Sequence, residues 1–287
     1  MLDCIIIGSG FAGVSAALTL KANGKSFLLF GKKSLSVKIE KAGEIRNYPG
    51  FYAVSGEELC AATKAQLERE EIDVLEQKVT GVYALKGKFL VTAEGDNTYE
   101  SRTVILATGV ETIKPIVGEE EFLGRGVSYC ATCDGMLYKG KTIAVFCTSK
   151  ELEREVEYLA SLAKKVFLLP IYKGVSAFSE NVEKIVKMPD RIEGGMKAQR
   201  LVLKGGQTLE IDGVFMLKES VSPSALVGGL TVENGHVTVD RACKTNLSGL
   251  FAAGDCTGRP YQYAKAVGEG NVAAHSVVEY LGEIDKQ

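Results

Sequence analysis

Two cysteines separated by two residues carry the clearest chemical signal in the sequence. Cys130 and Cys133 have the spacing of a reducible disulfide, in which one thiol lowers the pKa of its neighbour. The competing interpretation is half of a zinc site, which needs a second pair of Cys or His ligands. The chain has only two histidines, His236 and His275, which lie far apart in sequence, and it has no second Cys-x-x-Cys. The pair therefore predicts thiol–disulfide exchange and no metal site.

The remaining cysteines are scattered and indicate no disulfide framework. The chain has seven cysteines, an odd number, whereas secreted disulfide-rich proteins more often have an even and denser set. We predict that those outside the pair are small buried apolar residues: Cys4, Cys60, Cys147, Cys243 and Cys256. No basic segment marks a signal peptide. Together these features predict a cytoplasmic protein.

Length and charge exclude several classes of protein. A chain of 287 residues suits two domains. The formal net charge of −2 gives no general attraction to nucleic acid or to an anionic membrane. The apolar run Leu2–Ile7 is far too short to cross a membrane and is followed at once by glycines. We therefore expect a protein that binds neither nucleic acid nor membrane.

The elements that would position a cofactor begin at the N-terminus. Leu2–Ile7 predicts a strand, Val14–Ala22 a helix and Ser26–Phe30 a second strand, with a G-x-G-x-x-G turn after the first strand. That turn consists of Gly8, Ser9, Gly10, Phe11, Ala12 and Gly13. Glycines let the backbone approach a pyrophosphate, and the helix N-terminus offers free N–H groups. The turn predicts dinucleotide binding, although the acidic residue that usually holds the adenosine ribose is missing from Phe30–Lys33.

A second βαβ unit lies in the middle of the chain. Thr142–Phe146, Glu151–Ala163 and Lys165–Leu169 have the strand–helix–strand pattern. Near the end, a further strand runs into Gly254-Asp255, and Gln262–Leu281 predicts a long amphipathic helix. The sequence therefore predicts an α/β protein with two Rossmann-like, doubly wound, three-layer domains.

The order of these elements predicts a discontinuous first domain with the second inserted into it. We assign residues 1–112 and 241–287 to the dinucleotide-binding domain and residues 113–240 to the domain that carries the dithiol. The connections at Lys114-Pro115 and Asp240–Ala242 are the candidate hinges. Hinges of this kind would let one domain turn against the other.

Taken together, the sequence resembles the low-molecular-weight thioredoxin reductases over nearly its whole length. The matching segments are Gly8–Gly13, Phe30-Gly31, Asn47–Gly50, Ala107–Gly109, Cys130–Gly135 and Ala253–Asp255, and Gln262–Gly270 aligns without a gap. That family also lacks the acidic residue after its second strand. The resemblance implies a homodimer that binds FAD and reduces thioredoxin.

The resemblance also implies a role for individual residues. Cys133 would be the thiol nearer the flavin, and Cys130 the thiol that attacks the substrate. Asp134 would be the acid or base for the leaving thiolate, although it could instead cap a helix. The implied cofactor-binding residues are Gly8, Ser9, Gly10, Phe11, Ala12, Gly13, Phe30, Gly31, Lys32, Asn47, Ala107, Thr108, Gly109 and Gly254, with Asp255 at the ribityl chain and Gln262 and Tyr263 at the flavin ring.

The second βαβ unit departs from that family where NADPH would bind. The turn Cys147–Glu153 contains no glycine, so side chains would block the close approach of a pyrophosphate. Glu151, Glu153 and Glu155 would also repel it. The family recognises the 2′-phosphate with a His-Arg-Arg run after the next strand, whereas Pro170–Ser176 contains a single lysine. Both halves of the NADPH site are therefore missing.

This loss makes the chain similar to the ferredoxin-dependent flavin thioredoxin reductases, a nucleotide-independent branch of the same fold. The resemblance implies reduced ferredoxin as the electron donor. Ferredoxins are usually acidic, so a basic patch near the FAD-binding turn is expected to dock one. The candidates are Lys32, Lys33, Lys38, Lys41 and Arg46, which could also form no more than a solvated loop.

Other functions stay open at this point. The chain could be an NADPH-dependent thioredoxin reductase with an atypical nucleotide site. It could also be a non-catalytic flavoprotein that acts as a redox sensor or scaffold, although the intact dithiol argues against that. The substrate could be another thioredoxin-like protein, because the sequence does not reveal the surfaces that recognise it.

Overall fold

The N-terminal strand, the glycine turn and the following helix form a βαβ unit, as predicted. The computed structural model describes residues 1–40, 42–95, 97–110, 115–218 and 223–286, with only the backbone of Val37 and Lys38. The elements up to residue 110 are β1 (Leu2–Ile7), α1 (Phe11–Ala22), β2 (Phe27–Phe30), α2 (Val37–Glu40), β3 (Glu44–Ile45), β4 (Val54–Ser55), α3 (Gly56–Arg69), β5 (Val74–Leu75), β6 (Val79–Leu85), β7 (Lys88–Ala93) and β8 (Asn97–Leu106).

The middle of the chain contains the dithiol and the second βαβ unit. Its elements are β9 (Val127–Ser128), α4 (Ala131–Asp134), β10 (Thr142–Cys147), α5 (Glu153–Leu162), β11 (Lys165–Pro170), β12 (Val182–Lys184), β13 (Pro189–Gly194), β14 (Ala198–Leu203), β15 (Thr208–Glu210) and β16 (Gly213–Leu217). Short 3-10 helices at Gly135–Tyr138 and Lys150–Leu152 precede β10 and α5.

The last part of the chain ends in a long helix. Its elements are α6 (Pro223–Leu226), β17 (Val232–Glu233), β18 (His236–Val237), β19 (Leu250–Ala252), a 3-10 helix at Gly254–Thr257 and α7 (Tyr263–Ile284). No helix among the described residues combines the length and the apolar character needed to cross a membrane.

The sheet of the first unit brings its strand ends to one edge. The strand order is β5-β2-β1-β8-β7-β6, and β19 lies beside β8. Ile7 of β1 is in register with Phe30 of β2 and Leu106 of β8, and Ala252 of β19 is also in register with Leu106. All these pairings are parallel, so the carboxyl ends of four strands meet at the edge where open α/β sheets bind ligands.

Helices α1 and α7 of the first unit pack against each other through small residues. A Cβ atom added to Gly270 of α7 would lie 2.1 Å from the carbonyl oxygen of Ala12 in α1, so only glycine allows this approach. The hydroxyl of Ser15 donates a 2.7 Å hydrogen bond to the carbonyl oxygen of Val267. The close packing fixes the start of α7 beside the glycine turn.

The second unit is a parallel sheet whose strands are buried on both faces. Its strand order is β12-β11-β10-β16-β9, and a separate antiparallel sheet is formed by β13, β14 and β15. Val156 and Leu159 of α5 pack against Ile143 and Val145 of β10, and all four are fully buried. Continuous apolar strands are typical of such double-sided burial. The structure therefore confirms the predicted pair of Rossmann-like units.

The return of the chain to the first unit comes earlier than the sequence suggested. The first unit comprises the described residues 1–93, 97–110 and 223–286, so residues 223–240 belong to it rather than to the dithiol unit. Val227 bridges Val82 of β6, and the side chain of Asn246 accepts from Thr231 N–H and donates to the Gly229 carbonyl. Long-range contacts of this kind leave no local trace in a sequence.

The two hinge candidates have different outcomes. Asp240–Ala242 lies inside the first unit, where the Asp240 carboxylate accepts from the N–H groups of Ala242 and Lys244, both at 2.9 Å. Such a closed loop is a poor place for a hinge. Lys114 lies outside the described residues, so the Lys114-Pro115 connection stays a prediction.

Candidate functional site

The glycine turn of the first unit is pressed against the end of strand β8. A Cβ atom at Gly8 would lie 2.2 Å from the carbonyl oxygen of Ala107, and one at Gly13 would lie 1.8 Å from the carbonyl oxygen of Gly8. Gly8 also has a φ of +117°. Neither position can accept a side chain, so these glycines shape the turn itself rather than the ligand space.

The space above the turn suits a phosphate-bearing cofactor. A Cβ atom at Gly10 or at Gly109 would meet nothing within 4 Å. Gly10 is the N-cap of α1, so no side chain caps the first N–H groups of that helix. Thr108 Oγ1 is buried without a hydrogen-bond partner among the described residues. Open space, free helix N–H groups and an orphaned hydroxyl together fit a pyrophosphate.

Some residues assigned to the cofactor also have a structural role, and their contact with the cofactor stays a prediction. The hydroxyl of Ser9 donates to the Lys32 carbonyl and accepts from the Lys32 N–H, both at 2.8 Å, which joins the glycine turn to the loop after β2. A Cβ atom at Gly31 would lie 2.2 Å from Ser9 Oγ. The ring of Phe30 is fully buried, 5.2 Å from that of Tyr99. The side chains of Ser9 and Phe30 therefore face protein.

A charged clasp that the sequence reasoning missed holds the Asp255 turn against α7. Glu269 Oε2 accepts from Gly254 N–H and Thr257 Oγ1, both at 2.8 Å. Lys265 Nζ lies 3.1 Å from Glu269 Oε2. It also donates to the carbonyl oxygens of Gly254 and Gly258, both at 2.8 Å. Asp255 is thereby fixed at the sheet edge beside the glycine turn. The i,i+4 spacing of Lys265 and Glu269 was the available signal.

The start of α7 brings further predicted residues together. Gln262 Oε1 accepts a 2.8 Å hydrogen bond from Asn47 Nδ2. The ring of Phe11 lies 5.7 Å from that of Tyr263 and 6.1 Å from that of Tyr48. Burial raises the pKa of Tyr263, and the nearby carboxylate of Asp255 raises it further. The residues assigned to the flavin ring and to the ribityl chain therefore lie side by side.

The cysteine pair forms a disulfide at the start of a one-turn helix. Cys130 and Cys133 are bonded, with Cα atoms 5.4 Å apart. Cys130 is the N-cap of α4, and its sulfur accepts a 3.2 Å hydrogen bond from Cys133 N–H. Cys130 is only 7% exposed, whereas Cys133 is exposed. After reduction, the N–H of Cys133 would stabilise negative charge on the Cys130 sulfur.

Asp134 does not cap the helix that follows it, and its role as an acid or base stays a prediction. It precedes the 3-10 helix Gly135–Tyr138, but its carboxylate makes no capping hydrogen bond there. Burial raises the pKa of Tyr138, and the charge of Asp134 adds to this effect. The half-buried carboxylate therefore lies near the dithiol and Tyr138 and is not engaged in the alternative capping role.

The other five cysteines have buried thiols that ionise poorly. All five are buried. Burial raises the pKa of the Cys4 and Cys243 thiols to about 12 and that of Cys256 to about 11, and it also raises those of Cys60 and Cys147. No described group of three or more His, Cys, Asp or Glu residues could hold a metal ion. Thiol chemistry is therefore confined to the disulfide.

This arrangement predicts the thiol count of the native protein. We expect iodoacetamide at pH 8 to label no cysteine of the oxidised holoenzyme, and only Cys130 and Cys133 after mild reduction. A thiol with a pKa of about 12 is ionised at that pH to about one part in 10⁴, and burial slows its reaction further. Peptide mapping by mass spectrometry checks the sites, with urea-unfolded protein as the control that labels every thiol. Labelling of Cys60 or Cys147 in the native state would contradict the expectation.

Glu153 links the two segments of the second unit between which the sequence would place a nucleotide. This side chain is only 7% exposed. Its carboxylate accepts hydrogen bonds from Tyr172 OH at 2.9 Å, from Ser176 N–H at 2.9 Å and from Ser176 Oγ at 2.6 Å. It thereby joins the glycine-free turn to the loop after β11, the two segments between which a dinucleotide would lie. The sequence predicted repulsion by Glu153, and the structure shows it tied inward.

This bridge should make stability depend on pH. Burial opposes ionisation of Glu153, but hydrogen bonds from Ser176 and Tyr172 outweigh it and hold its pKa below the ordinary value. The stabilisation is therefore complete above the unfolded-state pKa of about 4.3 and is lost as the pH falls through the lower folded-state value.

The measurement compares Glu153→Gln with the parent protein in urea. We expect the variant to be less stable by about 1–3 kcal/mol at pH 7, because charge-assisted hydrogen bonds are lost. The difference should shrink as the pH is lowered below about 4. Glu157→Gln, an exposed position on the same helix, is the matched control and should differ little at either pH. An equal difference at both pH values would count against the bridge.

Comparison with known proteins identifies the family. The chain matches the family model described as pyridine nucleotide-disulphide oxidoreductase over residues 2–150 and 174–270. It is 34% identical to the thioredoxin reductase of Helicobacter pylori, over 98% of this chain and 99% of that protein. The chain belongs to the thioredoxin reductase family.

Two solved structures show how far this family likeness extends. Both are described as a ferredoxin-flavin thioredoxin reductase from Clostridium acetobutylicum. One is 47% identical, covers 98% of each chain and has a TM-score of 0.88. The other is 44% identical, covers 100% of this chain and 99% of that chain, and has a TM-score of 0.91.

Membership of the thioredoxin reductase family makes the chain a disulfide oxidoreductase with FAD as its cofactor. The glycine turn described above fits FAD. The open space at Gly10 and Gly109 can accommodate a pyrophosphate, and the Thr108 hydroxyl can donate a hydrogen bond to it. Gly10 and the first turn of α1 would hold the phosphates. Asp255 would hold the ribityl chain, and Gln262 and Tyr263 would border the ring. These residue assignments remain proposals.

Part of the predicted basic patch of this thioredoxin reductase homologue lies among the described residues. The guanidinium of Arg46 is paired with the carboxylate of Glu44, with Nε–Oε1 at 2.9 Å. The N–H of Lys33 donates to Glu76, and its side chain is exposed. Lys41 and the side chain of Lys38 lie outside the described residues. The patch therefore stays a prediction.

Proposed function

We propose that the protein reduces the disulfide of thioredoxin through Cys130 and Cys133, with electrons from reduced ferredoxin rather than NADPH. The observation that carries this proposal is the bridge that the buried Glu153 carboxylate forms between the glycine-free turn and the loop after β11. A nucleotide phosphate placed between these two segments would meet that negative charge, which is unfavourable. The likeness to ferredoxin-flavin thioredoxin reductase structures supports the same donor.

The electron balance suits a one-electron protein donor. Reduction of one disulfide to two thiols consumes two electrons and two protons, so two reduced ferredoxins are oxidised for each thioredoxin. FAD, when bound, supplies the chemistry that accepts electrons singly and delivers them in pairs. With about −400 mV for a plant-type ferredoxin and about −270 mV for thioredoxin, the transfer is downhill by about 6 kcal/mol.

The dithiol residues divide the exchange between them. The thiolate of Cys130 attacks one sulfur of the thioredoxin disulfide, which forms a mixed disulfide and releases the first thioredoxin thiolate. The thiolate of Cys133 then attacks the Cys130 sulfur, which restores the enzyme disulfide and releases the second thiolate. Asp134 donates the proton to a leaving thiolate. The burial of Cys130 implies that its segment must move before a protein substrate can reach it.

The surface next to the dithiol supports a protein substrate. Met136 and Leu137 come three and four residues after Cys133 and are 58% and 66% exposed. Exposed apolar side chains beside a reactive group commonly mark a protein-binding surface. A folded disulfide protein could pack on them while its sulfur meets the dithiol.

Anaerobic turnover with two alternative donors tests the proposal. The holoenzyme is mixed with thioredoxin and either reduced ferredoxin or NADPH, and both the flavin absorbance and the new thioredoxin thiols are followed. We expect ferredoxin to drive thioredoxin reduction and NADPH to leave the flavin band unchanged. Rapid bleaching by NADPH would overturn the proposed donor, and ferredoxin-driven flavin reduction without new thioredoxin thiols would overturn the proposed substrate.

Two further expectations accompany this function. We propose a homodimer formed through the FAD-binding unit, as the family resemblance implies, which sedimentation of the holoenzyme checks. The cytoplasmic location stays a prediction from the sequence.

A further inference from the structure

A buried group of three ionisable side chains includes Tyr129, the residue that precedes Cys130. Glu119 is 0% exposed, Lys218 is 2% exposed and Tyr129 is 8% exposed. Glu119 Oε1 accepts from Lys218 Nζ at 2.5 Å and from Tyr129 OH at 2.8 Å. Its other oxygen accepts from Ile116 N–H at 2.9 Å. We call Glu119, Tyr129 and Lys218 the buried triad.

The topology of the second unit explains why these residues meet. Strands β9 and β16 are parallel neighbours, with Ser128 in register with Phe215. Tyr129 follows the end of β9, and Lys218 follows the end of β16. Both side chains therefore leave the sheet at the same carboxyl edge. At that edge a cation that could have faced a ligand is turned inward to hold Glu119.

The triad is tied to the dithiol through the backbone. Tyr129 precedes Cys130 in the chain. The hydroxyl of Ser128 accepts a 3.0 Å hydrogen bond from Cys130 N–H and lies 3.1 Å from the Cys130 carbonyl oxygen, to which it donates. Ser128 and Tyr129, which precede Cys130, each form side-chain hydrogen bonds. Cys133, which follows Cys130 by three residues, is exposed.

The energetic cost of this group points to a role beyond filling the core. Removing a carboxylate and an ammonium from water costs several kcal/mol per ion, and apolar residues of the same size often serve stability as well or better. Apolar residues cannot accept a hydrogen bond from the Tyr129 hydroxyl. The Glu119 carboxylate can accept one, and Lys218 and Ile116 hold this carboxylate in one orientation.

We propose that the buried triad is a positioning device that holds Tyr129, and through it keeps Cys130 buried beside Cys133 until the substrate arrives. The inference rests on the proposed role of Cys130 as the attacking thiol. Loss of the Tyr129 hydroxyl should free this segment and expose Cys130 more often. Cys133, which is already exposed, should respond little.

The test is site-specific alkylation of the dithiothreitol-reduced holoenzyme. Tyr129→Phe keeps the ring and removes only the hydroxyl. We expect Cys130 to react with iodoacetamide about tenfold faster, equivalent to about 1.4 kcal/mol, with the rate at Cys133 and the flavin spectrum unchanged. Tyr172→Phe is the matched control, because it removes a hydroxyl that donates a hydrogen bond to Glu153, another buried carboxylate of the same unit. It should leave both rates unchanged.

The outcomes separate positioning from general loosening. A rise in the Cys130-to-Cys133 rate ratio that is confined to Tyr129→Phe supports the triad. An unchanged ratio, or an equal rise in both variants, overturns it. The alkylation needs neither ferredoxin nor thioredoxin, so its result is distinct from failure of the donor experiment.

Discussion

A Cys133→Ser variant is expected to capture thioredoxin covalently, whereas Cys130→Ser is not. Both should lose at least about 10³-fold in thioredoxin reduction, because each removes one partner of an exchange that needs two. With the proposed roles, only Cys133→Ser retains the attacking thiol and lacks the one that resolves the mixed disulfide. The two variants should therefore lose thioredoxin reduction to a similar extent, but only Cys133→Ser should accumulate the mixed disulfide.

The capture experiment uses thioredoxin with its second active-site cysteine replaced by serine and its first activated by thionitrobenzoate. Attack by Cys130 releases the coloured anion and leaves an adduct visible on a non-reducing gel. Cys60→Ala, which removes a buried thiol outside the dithiol, is the control and should turn over normally. Adduct formation by Cys130→Ser but not by Cys133→Ser would reverse the assigned roles.

A Gly10→Val variant is expected to fold and yet bind FAD much more weakly. A Cβ atom at Gly10 meets nothing in the protein within 4 Å, and its φ of −69° suits any residue. The added side chain would therefore enter only the space proposed for the pyrophosphate. We expect the FAD dissociation constant to rise at least about 100-fold, a loss of about 2.7 kcal/mol.

Fluorescence titration of the apoprotein with FAD measures this loss, and its thermal unfolding shows whether the fold is kept. Gly268→Val, at an open position on α7, is the matched control and should bind FAD like the parent. Gly13→Ala should behave differently, since its Cβ would collide with the Gly8 carbonyl and disturb the turn. Tight FAD binding by Gly10→Val would show that the phosphates bind elsewhere.

Features encoded by neighbouring residues were predictable from the sequence. The glycine turn, the flanking strands and the dithiol depend on spacings of a few residues, and the structure has the predicted elements in place. The glycine-free turn after β10 was visible for the same reason. Local patterns of this kind survive folding because they set the backbone path directly.

Features that depend on distant contacts were not predictable. The return of residues 223–240 to the first unit rests on a bridge between Val227 and Val82. The role of Glu153 was seen only as repulsion, because its partners Tyr172 and Ser176 follow a whole helix and strand later. The clasp of Glu269 on Gly254 likewise needs α7 to lie against the sheet edge.

The inward-facing Glu153 also bears on any attempt to redesign this protein for a nicotinamide donor. Placing a glycine in the turn before α5 would not be enough, because the carboxylate would still hold Tyr172 and Ser176 across the opening. Removing the carboxylate alone would leave those half-buried donors without their acceptor. Neither change is expected to help without the other, so a redesign would have to introduce both together.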